Sequence, residues 1–142
     1  MSGIPVVLDT NVLIAALRSR RGASHRLLSR IDSGKYEANI SVPLVLEYEA
    51  AARRLVGEIP LTGRDVDDIL DYVCRVAEHR RIYYLWRPFL GDPRDDMVLE
   101  LAVAAGCDFI VTYNRRDFAG IERFGLRAIT SRELLIKMGE LP

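Results

Sequence analysis

Short apolar runs alternate along this chain with longer segments in which apolar residues have helical spacing. The runs at 4–8 and 109–112 are continuous, a pattern typical of strands buried on both faces. Further strands are predicted at 38–41, 82–86 and 126–129. Helical spacing predicts helices over 10–17, 23–33, 44–56, 64–77, 95–105 and 132–138. This alternation predicts an α/β fold of three layers, with helices on both faces of a central, mostly parallel sheet.

The composition limits the number of domains, the location and the binding partners that we expect. With 142 residues, 49% of them hydrophobic, we expect residues 1–142 to form a single domain. No apolar run approaches the roughly 18 residues that cross a bilayer, and the N-terminus lacks the basic head of a signal peptide, so we expect a cytoplasmic protein. Cys74 and Cys107 lack the spacing of a zinc site or a redox motif. The 20 basic and 20 acidic residues balance, so any nucleic-acid site must be a local patch.

Four carboxylates lie where predicted strands end or the following helices begin. They are Asp9 after the first strand, Glu47 early in a helix, Asp96 at the start of a later helix, and Asp117 shortly after the strand at 109–112. Because the carboxyl ends of parallel strands meet at one edge of a sheet, we expect these side chains to converge. Converging negative charges normally need a counter-cation, and ligands that are all oxygen suit Mg²⁺ or Mn²⁺. Such an ion can activate water and neutralise charge on a phosphate.

Each acid also has a simpler interpretation as a helix cap. Asp9 can cap the helix that begins at Thr10, and Asp95 or Asp96 can cap the helix that follows. The position of all four acids at strand ends favours a common site. Glu49 is excluded because it points about 200° away from Glu47 around the helix. Four acids that share a polar helical face are expected to be solvated, namely Asp65, Asp67, Asp68 and Asp71.

Four separated motifs together resemble a known family. They are Asp9-Thr10-Asn11-Val12 after the first strand, Glu47 in its helix, the segment DDMVLELA at 95–102, and the segment IVTYNRRDF at 110–118. In this order and with these gaps, the motifs are similar to those of PIN-domain ribonucleases. Among these, the chain most resembles the VapC-like toxins of prokaryotic toxin–antitoxin pairs.

The resemblance implies a PIN-like fold and a metal-dependent endoribonuclease that cleaves RNA. The catalytic residues, which would hold one or two Mg²⁺ or Mn²⁺ ions, are then Asp9, Glu47, Asp96 and Asp117. The polar residues that would orient the carboxylates or water are Asn11, Thr112 and Asn114. Many relatives have an acid where this chain has Asn114, which leaves the division of metal binding between Asn114 and Asp117 open. The resemblance also implies a homodimer and a cognate antitoxin that covers the acidic edge.

Arginines adjoin the acidic edge. Arg115 and Arg116 directly precede Asp117, and we expect them to bind the phosphates of RNA. A second group of arginines ends the first predicted helix, and a solvating role explains this group equally well; it consists of Arg18, Arg20 and Arg21.

Two other functions remain open. The first motif partly resembles that of aspartate-dependent phosphohydrolases, in which the first Asp forms an aspartyl-phosphate. That motif has a second Asp where this chain has Asn11, and the only lysines, Lys35 and Lys137, are not near the later strand ends. The other alternative is an inactive PIN-like module that binds RNA or a protein. The presence of all four acids argues against such a loss of activity.

Overall fold

The computed structural model describes residues 3–82 and 89–142. Its sheet has five parallel strands in the spatial order β3-β2-β1-β4-β5. The strands are β1 (Ile4–Leu8), β2 (Tyr36–Ile40), β3 (Glu78–His79), β4 (Phe109–Val111) and β5 (Arg127–Ile129). The helices are α1 (Thr10–Arg18), α2 (Ala23–Ser29), α3 (Val42–Arg53), α4 (Gly63–Val76), α5 (Pro93–Ala104) and α6 (Ser131–Lys137). The predicted fold class, a three-layer α/β fold with a parallel sheet, is confirmed.

Strand β1 is the centre of the sheet. It pairs with β2 on one side and with β4 on the other, so that Val6 lies opposite both Ala38 and Phe109. Successive side chains of a strand point to opposite faces, and Val6, Val7 and Leu8 are all buried, so helices cover both faces of β1. The chain runs from β1 to β2 on one side and later returns to place β4 on the other. The gap beyond the carboxyl ends of β1 and β4 is therefore the topological switch point, where parallel sheets form their binding crevices.

Polar caps fix where the helices near this crevice begin. Asp9 caps α1, and Ser41 caps α3, where its hydroxyl accepts a hydrogen bond from the backbone N–H of Leu44. Asp92 caps α5, which has Pro93 at its first position. Thr130 caps α6 in a reciprocal arrangement with Glu133. Each of these helices thus starts at the same edge of the sheet, directly after or close to a strand end.

The observed element bounds differ from the predicted bounds by a few residues. The helix predicted over 44–56 begins at Val42 and ends at Arg53, and the helix predicted over 23–33 ends at Ser29. Strand β3 has only two residues, both exposed, and its sequence has no apolar pattern that predicts a strand. The strand predicted at 82–86 lies outside the described residues apart from Ile82, which is not in a strand. Among the described residues, no helix is long and apolar enough to span a membrane.

Candidate active site

A cavity of about 350 Å³ opens beyond the carboxyl ends of β1 and β4. Its acidic wall comes from four different parts of the chain, namely Asp9 after β1, Glu47 on α3, Asp92 and Asp95 at the start of α5, and Asp117 after β4. Asn11 and Asn114 also line it. The structure therefore brings together three of the four predicted carboxylates, Asp9, Glu47 and Asp117, at the edge where parallel-sheet topology places a site.

Asp9 is held at both of its carboxylate oxygens. Oδ1 accepts a hydrogen bond from the backbone N–H of Thr10 at 2.9 Å, and Oδ2 accepts one from the Thr112 hydroxyl at 2.8 Å. The backbone N–H of Asp9 also donates to the carbonyl of Val111 at 2.9 Å, which ties this residue to the end of β4. Asp9 is thus both the cap of α1 and a fixed member of the acidic wall, so the two interpretations of this residue are compatible.

Thr112 connects Asp9 to the loop after β4. Its buried hydroxyl donates to Asp9 and accepts hydrogen bonds from the Asn11 side chain at 3.3 Å and from the backbone N–H of Asn114 at 3.0 Å. The Asn11 side chain in turn accepts a hydrogen bond from the backbone N–H of Tyr113 at 3.3 Å. These bonds leave the Asn114 side chain facing the cavity. Asn11 and Thr112 therefore belong to one hydrogen-bond network with Asp9, whereas the Asn114 side chain lines the cavity itself.

Helix α3 contributes one face to the cavity. Glu47 and Ala51, four residues apart, both line it, as does Arg54, which follows the last residue of α3. The neighbouring Tyr48 is buried, and its hydroxyl donates a hydrogen bond to the carbonyl of Leu8, the last residue of β1. This contact anchors the helix beside Asp9. Glu49 faces elsewhere and pairs with Arg53.

Asp95, and not Asp96, is the α5 aspartate that lines the cavity. The carboxylate of Asp96 is buried and points to the preceding loop, where Oδ1 accepts hydrogen bonds from the backbone N–H groups of Phe89 at 3.1 Å and Leu90 at 2.9 Å. Adjacent helical residues lie about 100° apart around the axis, so the side chains of Asp95 and Asp96 point in different directions and do not both face the cavity. The fourth carboxylate of the predicted set is accordingly reassigned from Asp96 to Asp95.

The carboxylates are close enough to affect one another. Burial raises the pKa of Asp95 to about 6, and the negative charges of Asp9, Asp117 and Asp92 contribute to the shift. Burial also raises the pKa of Asp9, with contributions from Asp117 and Glu47, although its hydrogen bonds with Thr112 and Thr10 oppose the shift. The site thus carries an excess of negative charge, and a cation placed among these groups would relieve their repulsion.

The arginines near the carboxylates differ in what they contact. Arg94 bonds to Asp92 at 3.1 Å and lies 3.9 Å from Glu47, so one guanidinium already compensates part of the negative charge. Arg116 lines a second cavity together with Asp95 and Asp117. Arg115 forms an ion pair with Glu133 at 3.3 Å and lines a different surface depression. Of the predicted pair Arg115 and Arg116, only Arg116 therefore adjoins the carboxylates.

The donor set suits a hard cation. The side chains of the acidic wall offer carboxylate and amide oxygens, and no histidine or cysteine lines this cavity within the described ranges. Across residues 3–82 and 89–142, no three Asp, Glu, His or Cys side chains are arranged closely enough to form a complete metal cage. Mg²⁺ usually binds proteins through one or two carboxylates and keeps several waters, so such a cage is not required.

Several residues at the cavity were missed in the sequence. Arg54 could have been found, because it follows Glu47 by seven residues and two helical turns bring it back to the same face. Asp92 and Arg94 carried no comparable signal, since their place depends on the path of the loop before α5. In the sequence, Asp95 is a possible helix cap and belongs to the motif at 95–102, but neither feature distinguishes it from Asp96 as the residue that faces the cavity.

A family model of the PIN domain matches residues 5–116. The chain belongs to the PIN domain family. Of the carboxylates in the cavity, Asp9, Glu47, Asp92 and Asp95 lie inside the matched range, and Asp117 lies just after it. The family resemblance carried by the sequence motifs is thereby confirmed.

Solved structures share the fold of this PIN-domain protein. One is VapBC-1 from nontypeable Haemophilus influenzae, with a TM-score of 0.62, 14% identity, and coverage of 91% of this chain and 99% of that chain. Another is VapBC2 from Rickettsia felis, bound to a DNA fragment from their promoter, with a TM-score of 0.61, 14% identity, and coverage of 88% and 98%. No protein in the curated sequence comparison matches this chain.

Proposed function

We propose that this PIN-domain protein is a metal-dependent endoribonuclease and the toxin of a toxin–antitoxin pair. The observation that carries the nuclease proposal is the convergence of Asp9, Glu47, Asp95 and Asp117 on one cavity at the switch point of the sheet. Membership of the PIN family supports the same activity. The similarity of fold to VapBC-1 and VapBC2 supports the toxin role.

Mg²⁺ or Mn²⁺ is the proposed cofactor. When bound, the ion supplies a Lewis acid that stabilises negative charge on the phosphate under attack. The residues that would hold it are among Asp9, Glu47, Asp95 and Asp117: one or two of these carboxylates would bind the ion directly and the others would contact its water ligands, as would Asn114.

The residues of the chain then have separate roles in phosphodiester hydrolysis. Thr112 and the backbone of Thr10 hold the Asp9 carboxylate in one orientation, so that its ligand geometry is set before the substrate arrives. Asp95 lines the cavity with Asp117, where its carboxylate would help to hold the ion or its water ligands. Asn11 keeps Thr112 and the Tyr113 backbone in register with α1.

Hydrolysis assays test this proposal. We expect the wild-type protein to cleave RNA with Mn²⁺ but not with EDTA, and Asp9→Asn or Asp95→Asn to remove the activity. Asp68→Asn is the matched control because Asp68 lies on α4 and lines a different cavity. A small phosphate monoester serves as second substrate. Turnover of the ester without cleavage of RNA would favour the aspartate-dependent phosphohydrolase, and binding of RNA without cleavage under any divalent ion would favour the inactive module.

The toxin role and the assembly require their own tests. Expression of the wild-type protein should arrest bacterial growth, and Asp95→Asn should relieve the arrest. The proposed antitoxin is a small protein that covers the acidic cavity, so its co-expression should also restore growth. We propose a homodimer as the assembled form, which sedimentation of the purified protein can measure. If cells that contain the active nuclease grow normally, the toxin role is contradicted, but the proposed nuclease activity is not.

A further inference from the structure

Two open cavities meet at the carboxylates. The first is the site cavity of about 350 Å³, and the second, of about 390 Å³, lies on the other side of the acids, toward Phe89 and Ala119. Asp92, Asp95 and Asp117 line both. The acids therefore form a partition between two grooves, and a polymer bound with its reacting phosphate at the partition has room on both sides.

Each groove has one arginine that pairs with no acid among the described residues, since Arg94 in the first groove is bonded to Asp92. Arg54 lines the first groove and Arg116 lines the second. Both residues are exposed, and within the described part of the chain neither forms an ion pair or a side-chain hydrogen bond. Arginine presents a fork of donors that matches phosphate oxygens. Positive groups on either side of a cation-binding centre match a polyanion that passes through that centre.

The sequence neighbours of these two arginines are engaged elsewhere. Arg53 pairs with Glu49 and Asp67 on the outer surface of α3 and α4. Arg115 pairs with Glu133 at the start of α6. In each pair of adjacent arginines, only one residue lines a groove. The neighbour, Arg53 for Arg54 and Arg115 for Arg116, is therefore a matched control variant.

We propose that a single RNA strand crosses the carboxylates from one groove to the other, with Arg54 binding a phosphate on one side of the reacting phosphate and Arg116 binding a phosphate on the other. This inference rests on the proposed ribonuclease function and specifies how the substrate lies in the site. Cavities of about 350 and 390 Å³ are in the range that holds a small ligand, which suits one or two unpaired nucleotides on each side better than it suits a duplex.

The salt dependence of binding tests the phosphate contacts. The probe is a fluorescein-labelled oligoribonucleotide of mixed sequence and about 12 nucleotides, with Ca²⁺ in place of Mn²⁺ to fill the cation site. We expect Arg54→Ala and Arg116→Ala each to weaken binding about tenfold and to reduce the slope of log affinity against log salt by about 0.7, the value for one phosphate contact on a single strand. Arg53→Ala and Arg115→Ala remove the same charge and should leave the slope nearly unchanged.

A shorter probe tests whether the two contacts lie on opposite sides. A dinucleotide has a single phosphodiester, so it can occupy either groove but cannot present a phosphate to each of the two arginines at once. Each single variant should therefore bind the short probe within about twofold of wild type, because the other groove remains intact, whereas the double variant should bind it about tenfold more weakly. With the long probe the losses of the two single variants should multiply. If the short probe responds to the single variants as strongly as the long probe does, both arginines lie on one side and the path is wrong.

The outcomes separate the path from the function on which it rests. If wild-type protein cleaves RNA with Mn²⁺ while the two groove variants bind like Arg53→Ala and Arg115→Ala, the proposed path is overturned and the ribonuclease stands. If wild-type protein neither binds nor cleaves RNA, both the path and the function are overturned. Equal binding of a duplex and a single strand of the same length would contradict the single-strand assignment.

Discussion

Asp95 and Asp96 are neighbours in the first turn of α5, yet their carboxylates lie in different surroundings. Asp95 lines the acidic cavity with Asp9 and Asp117, while Asp96 is buried against the backbone N–H groups of Phe89 and Leu90. One carboxylate faces a prospective ligand and the other holds the loop before the helix. The same substitution at the two positions should therefore have opposite effects on stability.

Removal of each carboxylate tests this difference. Asp96→Ala leaves two backbone N–H groups without their acceptor, and we expect the free energy of unfolding to fall by about 1–3 kcal/mol. Asp95→Ala removes a charge that its neighbours repel, so the metal-free protein should be no less stable than wild type. Urea unfolding at neutral pH with EDTA measures both. Equal losses in the two variants would show that the assignment of roles is wrong.

The fold followed from the sequence to a large extent, because its main strands carry a strong pattern. The continuous apolar runs of β1 and β4 occur where both faces of the sheet are covered, and Val6, Val7, Ile110 and Val111 are fully buried. Strand β3 had no such signal, since its two residues, Glu78 and His79, are exposed and are in the sheet only by backbone pairing with β2.

The position of the acidic cavity agrees with the predicted sheet edge more closely than its lining agrees with the predicted side chains. Sheet topology puts Asp9 and Asp117 at one edge whatever the details of packing. The choice between Asp95 and Asp96 depends on the rotation of α5 about its axis, and five consecutive positions of that helix, 98–102, are all buried. With apolar or buried residues on nearly every face, periodicity does not determine which aspartate points outward. Arg115 and Arg116 diverge for a similar reason, because adjacent residues of a 3₁₀ turn lie about 120° apart.

Thr112 offers a test of how the Asp9 carboxylate is oriented. Thr112→Val keeps the shape of the side chain but removes the hydroxyl that donates to Asp9 and accepts from Asn11. Loss of a residue that orients a metal ligand typically lowers metal affinity or activity about 10- to 100-fold, and we expect an effect of this size on Mn²⁺ affinity measured by calorimetry. Thr112→Ser retains the hydroxyl and should restore affinity. If Thr112→Val binds Mn²⁺ with wild-type affinity, Thr112 does not orient the Asp9 carboxylate for metal binding.

Glu140 gives a prediction for pH dependence away from the site. It bonds to Arg30 at 2.8 Å and to Lys35, and these two hydrogen-bonded cations lower its pKa to about 2. A carboxyl group whose pKa is lower in the folded protein contributes stability above its unfolded pKa of about 4.5 and loses that contribution as the pH falls toward 2. Glu140→Gln should therefore be less stable than wild type at neutral pH, and the difference in midpoint should shrink below about pH 4.5.

The control for this prediction is Glu58→Gln. Glu58 pairs with Arg18, and both side chains are more than half exposed, so their ion pair should contribute little to stability. A loss of stability at neutral pH that is as large in Glu58→Gln as in Glu140→Gln would contradict the special role of Glu140. A difference between wild type and Glu140→Gln that grows on acidification would also contradict it.

The central claim is that Asp9, Glu47, Asp95 and Asp117 form a divalent cation site, and thermal unfolding with and without Mn²⁺ tests it most directly. An ion at about a hundred times its dissociation constant, bound only to the folded state, adds about 2.7 kcal/mol, which in a domain of this size raises the wild-type midpoint by about 5 to 10 °C. Asp95→Asn should have a higher midpoint than wild type in EDTA, because repulsion is relieved, and a much smaller shift with Mn²⁺. A wild-type midpoint that does not respond to millimolar Mn²⁺, together with an Asp95→Asn variant that is only less stable, would contradict the account.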